Sequence, residues 1–359
     1  MLRLNILKNK GKISITAMFL ILIIVAVTFT VVGHSLASTD YSRTQAEEYL
    51  TNASENELEQ VLDVVPQETL KEQVEKEYPF IVEDDLGRKI IIENEPDNIV
   101  SLSPSITEIL FSLGLEDKVI GVSEACDYPP RVVEMKENGR VETVAPYAGG
   151  VKTEKVLELK PSLVLGAAGT PMDSIEEMER IGLTFVGLEG ENIDSVKKNI
   201  EQIGDITETS EKSRQITENI QNEIDEVVEE TAKISKENKP KVYYEVWELW
   251  TVGPGTFGHE IIEKAGGINI AKNSEEKYPK VKEETIVGKD PDFFITGTDA
   301  RTTAESVKED YPGIAAVEEN QVVLLDEEMR DVFSRPGPRV PVAVQELAKI
   351  LHPELENSF

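Results

Sequence analysis

Residues 151–166 read "VKTEKVLELKPSLVLG", and residues 281–296 read "VKEETIVGKDPDFFIT". The two stretches align without a gap at an offset of 130 residues. Val151/Val281, Lys152/Lys282, Glu154/Glu284 and Pro161/Pro291 are identical pairs. The apolar positions repeat as well: Val156/Ile286, Leu157/Val287, Leu163/Phe293, Val164/Phe294 and Leu165/Ile295. Helical spacing before each proline and a short apolar run after it predict a helix, a break and a buried strand. Each unit also places a glutamate just inside its helix. The same α/β unit is built twice.

Working outward, "FIVEDDLGRKIIIE" from Phe80 reads as a hairpin turning at Asp85-Leu86-Gly87. Strand "NIVSLSP", helix "SITEILFSLGL", strand "KVIGV", the first repeat unit, helix "DSIEEMERIG" and strand "TFVGLE" follow. Strands alternating with helices predict parallel βαβ units. The chain then changes texture: Ile216, Ile220, Ile224, Val227, Val228 and Ile234 share a 3–4 spacing. They predict one helix over 209–236, roughly 28 residues or about 42 Å long. No glycine interrupts the chain between Asp205 and Pro240. A second alternating block has strand "KVYYEVW", helix "GHEIIEKAGG", the second repeat unit and strand "QVVLLD", and closes on a helix from about Pro338 to Leu351. The expected fold is α/β: two pseudo-symmetric lobes with mainly parallel sheets, joined by one long rigid helix, with a ligand cleft between the lobes. The divisions are 1–39 (signal peptide or anchor), 40–79 (acidic stalk), 80–204 (first lobe), 205–239 (linking helix) and 240–359 (second lobe).

Against 37 basic residues stand 68 acidic ones, a net charge of −31. Phosphate neutralisation needs clustered Lys and Arg, so nucleic acid is excluded as a partner. A hydrated acidic surface is the plainer reading; a surface that meets a basic partner is the sharper one. The single cysteine, Cys126, excludes an internal disulfide framework. The three scattered histidines, His34, His259 and His352, do not make a metal centre.

Arg3, Lys8, Lys10 and Lys12 precede an apolar stretch within Ile13–Gly33, and the next charged residue is Asp40. The stretch is long enough to span a bilayer, and the basic flank orients the rest of the chain outside the cytoplasm. Ser35-Leu36-Ala37 resembles a cleavage site, so a cleaved signal peptide competes with an uncleaved anchor. The length of the apolar run favours the anchor. Residues 40–78 are polar, acidic and weakly amphipathic, with a sequon at Asn52-Ala53-Ser54.

Five segments carry a resemblance: "IVSLSPSITEILFSLGLEDKVIGVSEACDYPP", "LELKPSLVLG", "GHEIIEKAGGINIA", "KVKEETIVGKDPDFFITG" and "DVFSRPGPR". In this order they resemble the helical-backbone class of ABC-transporter substrate-binding proteins, the cobalamin- and iron-siderophore-binding group, with the cobalamin branch nearest. The resemblance implies a binding protein rather than an enzyme. It would hold no resident cofactor and would deliver a corrinoid to a permease dimer with its ATPase subunits. It further implies that each lobe offers a surface glutamate to arginine pockets of the permease; Glu154 and Glu284 stand at the matching positions. Independently, a two-fold partner needs one handle per lobe, and carboxylate–arginine pairs are directional. The plainer reading is that each glutamate complements a helix dipole.

Candidate ligand residues lie in loops after strands: Tyr128 in "DYPP", Tyr147 in "APYAGG", Trp247 and Trp250 in "VWELW", Tyr278 in "KYPKV", and Phe333 and Arg335 in "DVFSRPGPR". Broad aromatic faces with a few polar anchors suit a large flat corrinoid; core packing is the alternative for each ring. Tyr128, Tyr278 and Arg335 also match the family, whereas Ala167 stands where the family has a bulky ring. Arg335, with Arg330, Arg339 and Arg301, would alternatively suit an anionic ferric siderophore or haem. A chelatase-like enzyme would need a metal grip, for which His259 is the isolated candidate. A membrane-tethered sensor would need more than 12 cytoplasmic residues.

Overall fold

The computed structural model describes residues 78–146, 150–167, 169–297, 302–356 and 358–359. The N-terminal anchor or signal segment, the stalk up to residue 77, Tyr147 and Arg301 lie outside the described residues. Strands β1 (Phe80–Glu83) and β2 (Lys89–Ile92) make the expected hairpin. It turns at Gly87, whose φ of +73° a side chain rarely adopts. The buried Asp84 carboxylate accepts the backbone N–H groups of Leu86, Arg88 and Gly187 at 2.9–3.1 Å, which fastens the hairpin to the first sheet.

The first lobe runs β3 (Ile99–Ser101), α1 (Pro104–Ser112), β4 (Val119–Ser123), α2 (Pro130–Glu137), β5 (Glu142–Ala145), α3 (Thr153–Leu159), β6 (Leu163–Ala167), α4 (Met172–Arg180), β7 (Phe185–Leu188) and α5 (Ile193–Ile206). Its sheet has the order β5-β4-β3-β6-β7, and every pairing is parallel. Strands β3 and β7 are buried along their whole length, as unbroken apolar runs covered on both faces require. Val100, Val144, Val156, Val164, Met178 and Phe185 belong to its core.

Helix α6 (Ser210–Thr231) links the lobes and has 22 residues, about 33 Å at the usual rise. It is shorter than the apolar spacing predicts. Ser235 adopts extended backbone (φ −63°, ψ 152°), which ends the helical run before Pro240. Ile220, Ile224 and Val227 are buried, while Ile234 falls beyond the helix. Gly204 lets α5 approach α6: a Cβ there would lie 2.4 Å from the Ser213 hydroxyl oxygen.

The second lobe contains β8 (Lys241–Trp247), β9 (Trp250–Thr251), α7 (Phe257–Lys264), β10 (Ile268–Asn269), α8 (Glu283–Lys289), β11 (Phe293–Gly297), α9 (Ala304–Asp310), α10 (Ala315–Glu318), β12 (Val322–Leu325), α11 (Glu327–Ser334) and α12 (Val340–Leu351). Its sheet is parallel in the order β10-β8-β11-β12, with β9 antiparallel on β8. The "DVFSRPGPR" segment is not all loop. Its first four residues end α11, which the Asp326 side chain caps by accepting the Met329 N–H at 2.9 Å.

The repeat is structural as well as textual. Helices α3 and α8 both have seven residues at corresponding positions. Both end on a left-handed residue, Lys160 (φ 51°) and Asp290 (φ 49°), and both are followed by a proline and a five-residue strand. Val156 and Ile286, the inward anchors, are fully buried. Glu154 and Glu284 are exposed in the first turns.

Candidate functional site

In a parallel sheet the loops that follow the strands all emerge at the carboxyl edge, where open α/β folds bind ligands. Two such loops of the first lobe, after β4 and β7, carry contacts to the second lobe. After β4, Asp127 accepts two hydrogen bonds from Arg335 of the second lobe, at 2.5 and 3.2 Å. After β7, Gly190 lies against Pro336; a Cβ on Gly190 would come within 2.4 Å of the proline ring, so the approach requires glycine. The next residue, Glu191, pairs with Lys277. The Ile193 N–H donates to Glu260 at 2.8 Å. Two strands separate β4 from β7. Their loops therefore emerge roughly 14 Å apart along the sheet edge.

The Arg335 guanidinium is held by three carboxylates: Asp127, Asp331 at 2.7 Å and Glu108 at 3.5 Å. Arg339 grips both oxygens of Glu108, at 2.8 and 2.7 Å, a bidentate pair across the lobes. The Glu108 side chain is 3% exposed and that of Arg339 14%, so this pair is shielded from solvent. The same guanidinium lies 3.9 Å from the Tyr128 ring centroid, a cation–π contact that positions the ring. Burial alone would raise the Asp127 carboxyl, but the Arg335 hydrogen bonds and charge outweigh it and hold the pKa below the ordinary value. Burial opposes the charge on Arg335 too, and its carboxylate partners more than compensate, raising its pKa.

Four of the expected aromatic residues present their rings to solvent: Tyr128 (37% exposed), Trp247 (55%), Trp250 (38%) and Tyr278 (51%). Trp247 and Trp250 are cross-strand partners at the end of the β8–β9 ribbon. Glu245 accepts the Leu249 N–H at 3.0 Å and so fixes the turn between them, where Leu249 takes a φ of +60°. Trp250 bridges to Lys280, two residues beyond Tyr278. Burial of the Tyr278 phenol raises its pKa, and the charge of Glu191 adds to the shift. Tyr128 and Tyr278 each follow a residue that makes an ion pair between the lobes, Asp127 and Lys277.

Other expectations are corrected. Phe333 is 3% exposed and packs edge-on against Tyr244 with centroids 6.1 Å apart, so it is a core side chain and not a ligand wall. Arg335 offers its guanidinium to protein carboxylates rather than standing open. His259 is buried; its Nδ1 lies 2.9 Å from the Asn269 amide nitrogen and its Nε2 3.5 Å from Glu263, a structural arrangement. Ala167 closes β6. Glu108, Asp127, Glu191 and Lys277 went unnoticed in the sequence. Only the polar "CDYPP" turn hinted at Asp127.

Residues 99–329, from β3 into α11, match the periplasmic binding protein family. An uncharacterised ABC transporter substrate-binding lipoprotein of Bacillus subtilis is 30% identical over 284 residues, covering 77% of this chain and 87% of that protein. A vitamin B12-binding protein of Vibrio cholerae is 28% identical over 259 residues, covering 71% and 89%. The crystal structure of a periplasmic vitamin B12-binding protein from Vibrio cholerae superposes with a TM-score of 0.60 at 27% identity, over 73% of this chain and 99% of that one. With the matched span running across both sheets and the helix between them, the chain belongs to the periplasmic binding protein family.

Proposed function

We propose that this protein captures a corrinoid outside the cytoplasm and delivers it to the permease of an ABC importer. The observation that carries the reading is the set of four exposed aromatic side chains, Tyr128 and Tyr278 in loops of the two lobes beside ion pairs that join them, and Trp247 and Trp250 at the end of the β8–β9 ribbon. Solvent-exposed rings cost hydration unless a flat apolar partner covers them, and a macrocycle with apolar faces and amide edges does so. Relatives that bind vitamin B12 support the same ligand class. Membrane attachment is assigned to the apolar stretch before Gly33.

Titration of the detergent-solubilised full chain with cobalamin, cobinamide, haem and ferric siderophores tests the reading. One-to-one binding of a corrinoid is expected. Heat with a ferric chelate and none with corrinoids transfers the protein to the siderophore or haem class. Tyr128→Ala and Tyr278→Ala each weaken corrinoid binding by about 1–3 kcal/mol. Unchanged affinity with a lowered melting temperature would make these rings packing residues.

Glu154 and Glu284 are the handles for the permease. They occupy corresponding first-turn positions of α3 and α8, and both are exposed. Glu154→Lys and Glu284→Lys leave ligand affinity and folding unchanged, while reconstituted uptake falls by roughly tenfold for each. The double reversal falls further. Wild-type uptake by the double variant would reduce both residues to helix-dipole complements.

A further inference from the structure

The second lobe contributes three described arginines near the aromatic loops, and each is already matched. Arg335 meets Asp127, Asp331 and Glu108. Arg339 meets Glu108. Arg330 lies 3.4 Å from Asp331 and 3.8 Å from Glu327. At the Tyr278 end, Lys277 is paired with Glu191, and Glu189 stands close enough to Glu191 for the two like charges to raise its pKa, after the effect of burial. These four cations therefore meet five carboxylates, with Glu189 as a sixth and the exposed Lys280, bridged to Trp250, as a fifth cation beside them. An anionic ligand arriving here finds guanidinium groups without an open fork, and adds its charge to a surplus of the same sign. A ligand whose edges carry neutral amides meets no such opposition.

We propose that the cleft rejects anionic ligands, and that Asp127 sets this selectivity by occupying the Arg335 guanidinium at the edge where Tyr128 presents its ring. The inference rests on the corrinoid reading and adds to it the charge class of the ligand. Asp127 is the deciding carboxylate because it is half-exposed (47%), whereas Glu108 (3%) and Asp331 (15%) hold the buried side of the same arginine. Neutralising Asp127 leaves Arg335 anchored by the other two and frees the side of the fork that faces outward.

The test compares two rings that share one macrocycle: cobinamide, with amide side chains, and cobyrinic acid, with carboxylates in their place. Both are used as dicyano complexes, so that the cobalt carries the same ligands. Binding to the full chain in detergent is read from the fluorescence of Trp247 and Trp250, the two tryptophans of the chain. At low salt the carboxylate ring binds wild type roughly 100-fold more weakly than the amide ring, and added salt narrows the gap. Asp127→Asn brings the gap below roughly tenfold, chiefly by improving binding of the carboxylate ring. Glu191→Gln, which frees Lys277 at the other end, moves it in the same direction. Equal affinity of wild type for the two rings overturns the inference and leaves the corrinoid reading standing; the exposed Lys280 would then be the cation to remove. A gap unchanged in Asp127→Asn overturns the role given to that residue. Failure of both rings to bind overturns the corrinoid reading, and the charge selection falls with it.

Discussion

Glu108→Ala destabilises the protein by about 3–5 kcal/mol, because it removes the carboxylate from a buried ion pair and leaves the arginine behind. Arg339 loses both of its hydrogen bonds to Glu108, and Arg335 loses its 3.5 Å neighbour. The Arg339 side chain is 14% exposed, so its guanidinium cannot regain a full hydration shell without moving the start of α12. Helix α12 packs on α6 and α7, and such movement disturbs the link between the lobes. Chemical denaturation monitored by circular dichroism measures the loss. Glu108→Gln keeps one acceptor and costs less. A double Glu108→Met, Arg339→Met variant should be milder than Glu108→Ala alone, since removing both charges leaves neither unpaired. A loss below about 1 kcal/mol for Glu108→Ala would show that Arg339 swings out to water at little cost, as surface pairs do.

Phe333→Ala is expected to cost a similar 3–5 kcal/mol, for a different reason: a buried ring leaves a cavity that the surroundings only partly fill. Phe333 sits on the inner face of α11 beside Val332, against Tyr244 of β8. Phe333→Leu retains most of the volume and costs under about 1.5 kcal/mol. Corrinoid affinity of the folded fraction should stay at the wild-type value in both variants. A selective loss of affinity in Phe333→Leu, with stability retained, would return this ring to the ligand site.

Local signals made much of the fold legible. The helix–proline–strand unit was readable because its determinants sit within sixteen residues, and the structure has a seven-residue helix, a proline and a five-residue strand in both copies. Helix α11 was also available to reading: Asp326 before Glu327 and Glu328 is a cap followed by an acidic first turn. The family resemblance drew attention to "DVFSRPGPR" as a ligand-contacting stretch, and Phe333 was assigned to the wrong side. The end of α6 was misread because Ile234 continues the spacing of Ile220 and Ile224 after the backbone has left the helix.

The ion pairs were beyond sequence reading. Arg335 and Asp127 are 208 residues apart, and Arg339 and Glu108 are 231 apart. With 68 acidic residues to choose from, no spacing rule singles out those two. Exposed aromatic residues were easier to find, since Tyr128, Trp250 and Tyr278 all lie in loops with turn residues or at a strand end.

The matched units α3–β6 and α8–β11 bear on how a partner is approached. A permease with exact two-fold symmetry looks the same after half a turn. Any protein can therefore land on such a partner in either of two orientations that give the same complex, and one whose two halves carry equivalent contacts would meet both subunits at once. No encounter is the wrong way round, so the number of productive collisions doubles without any new contact. Positions where the copies differ, such as Glu158 against Gly288, meet each permease subunit in turn and create no preference. The duplication adds to this a second contact, which forms at high effective concentration once the first is made and which a single lobe would lack.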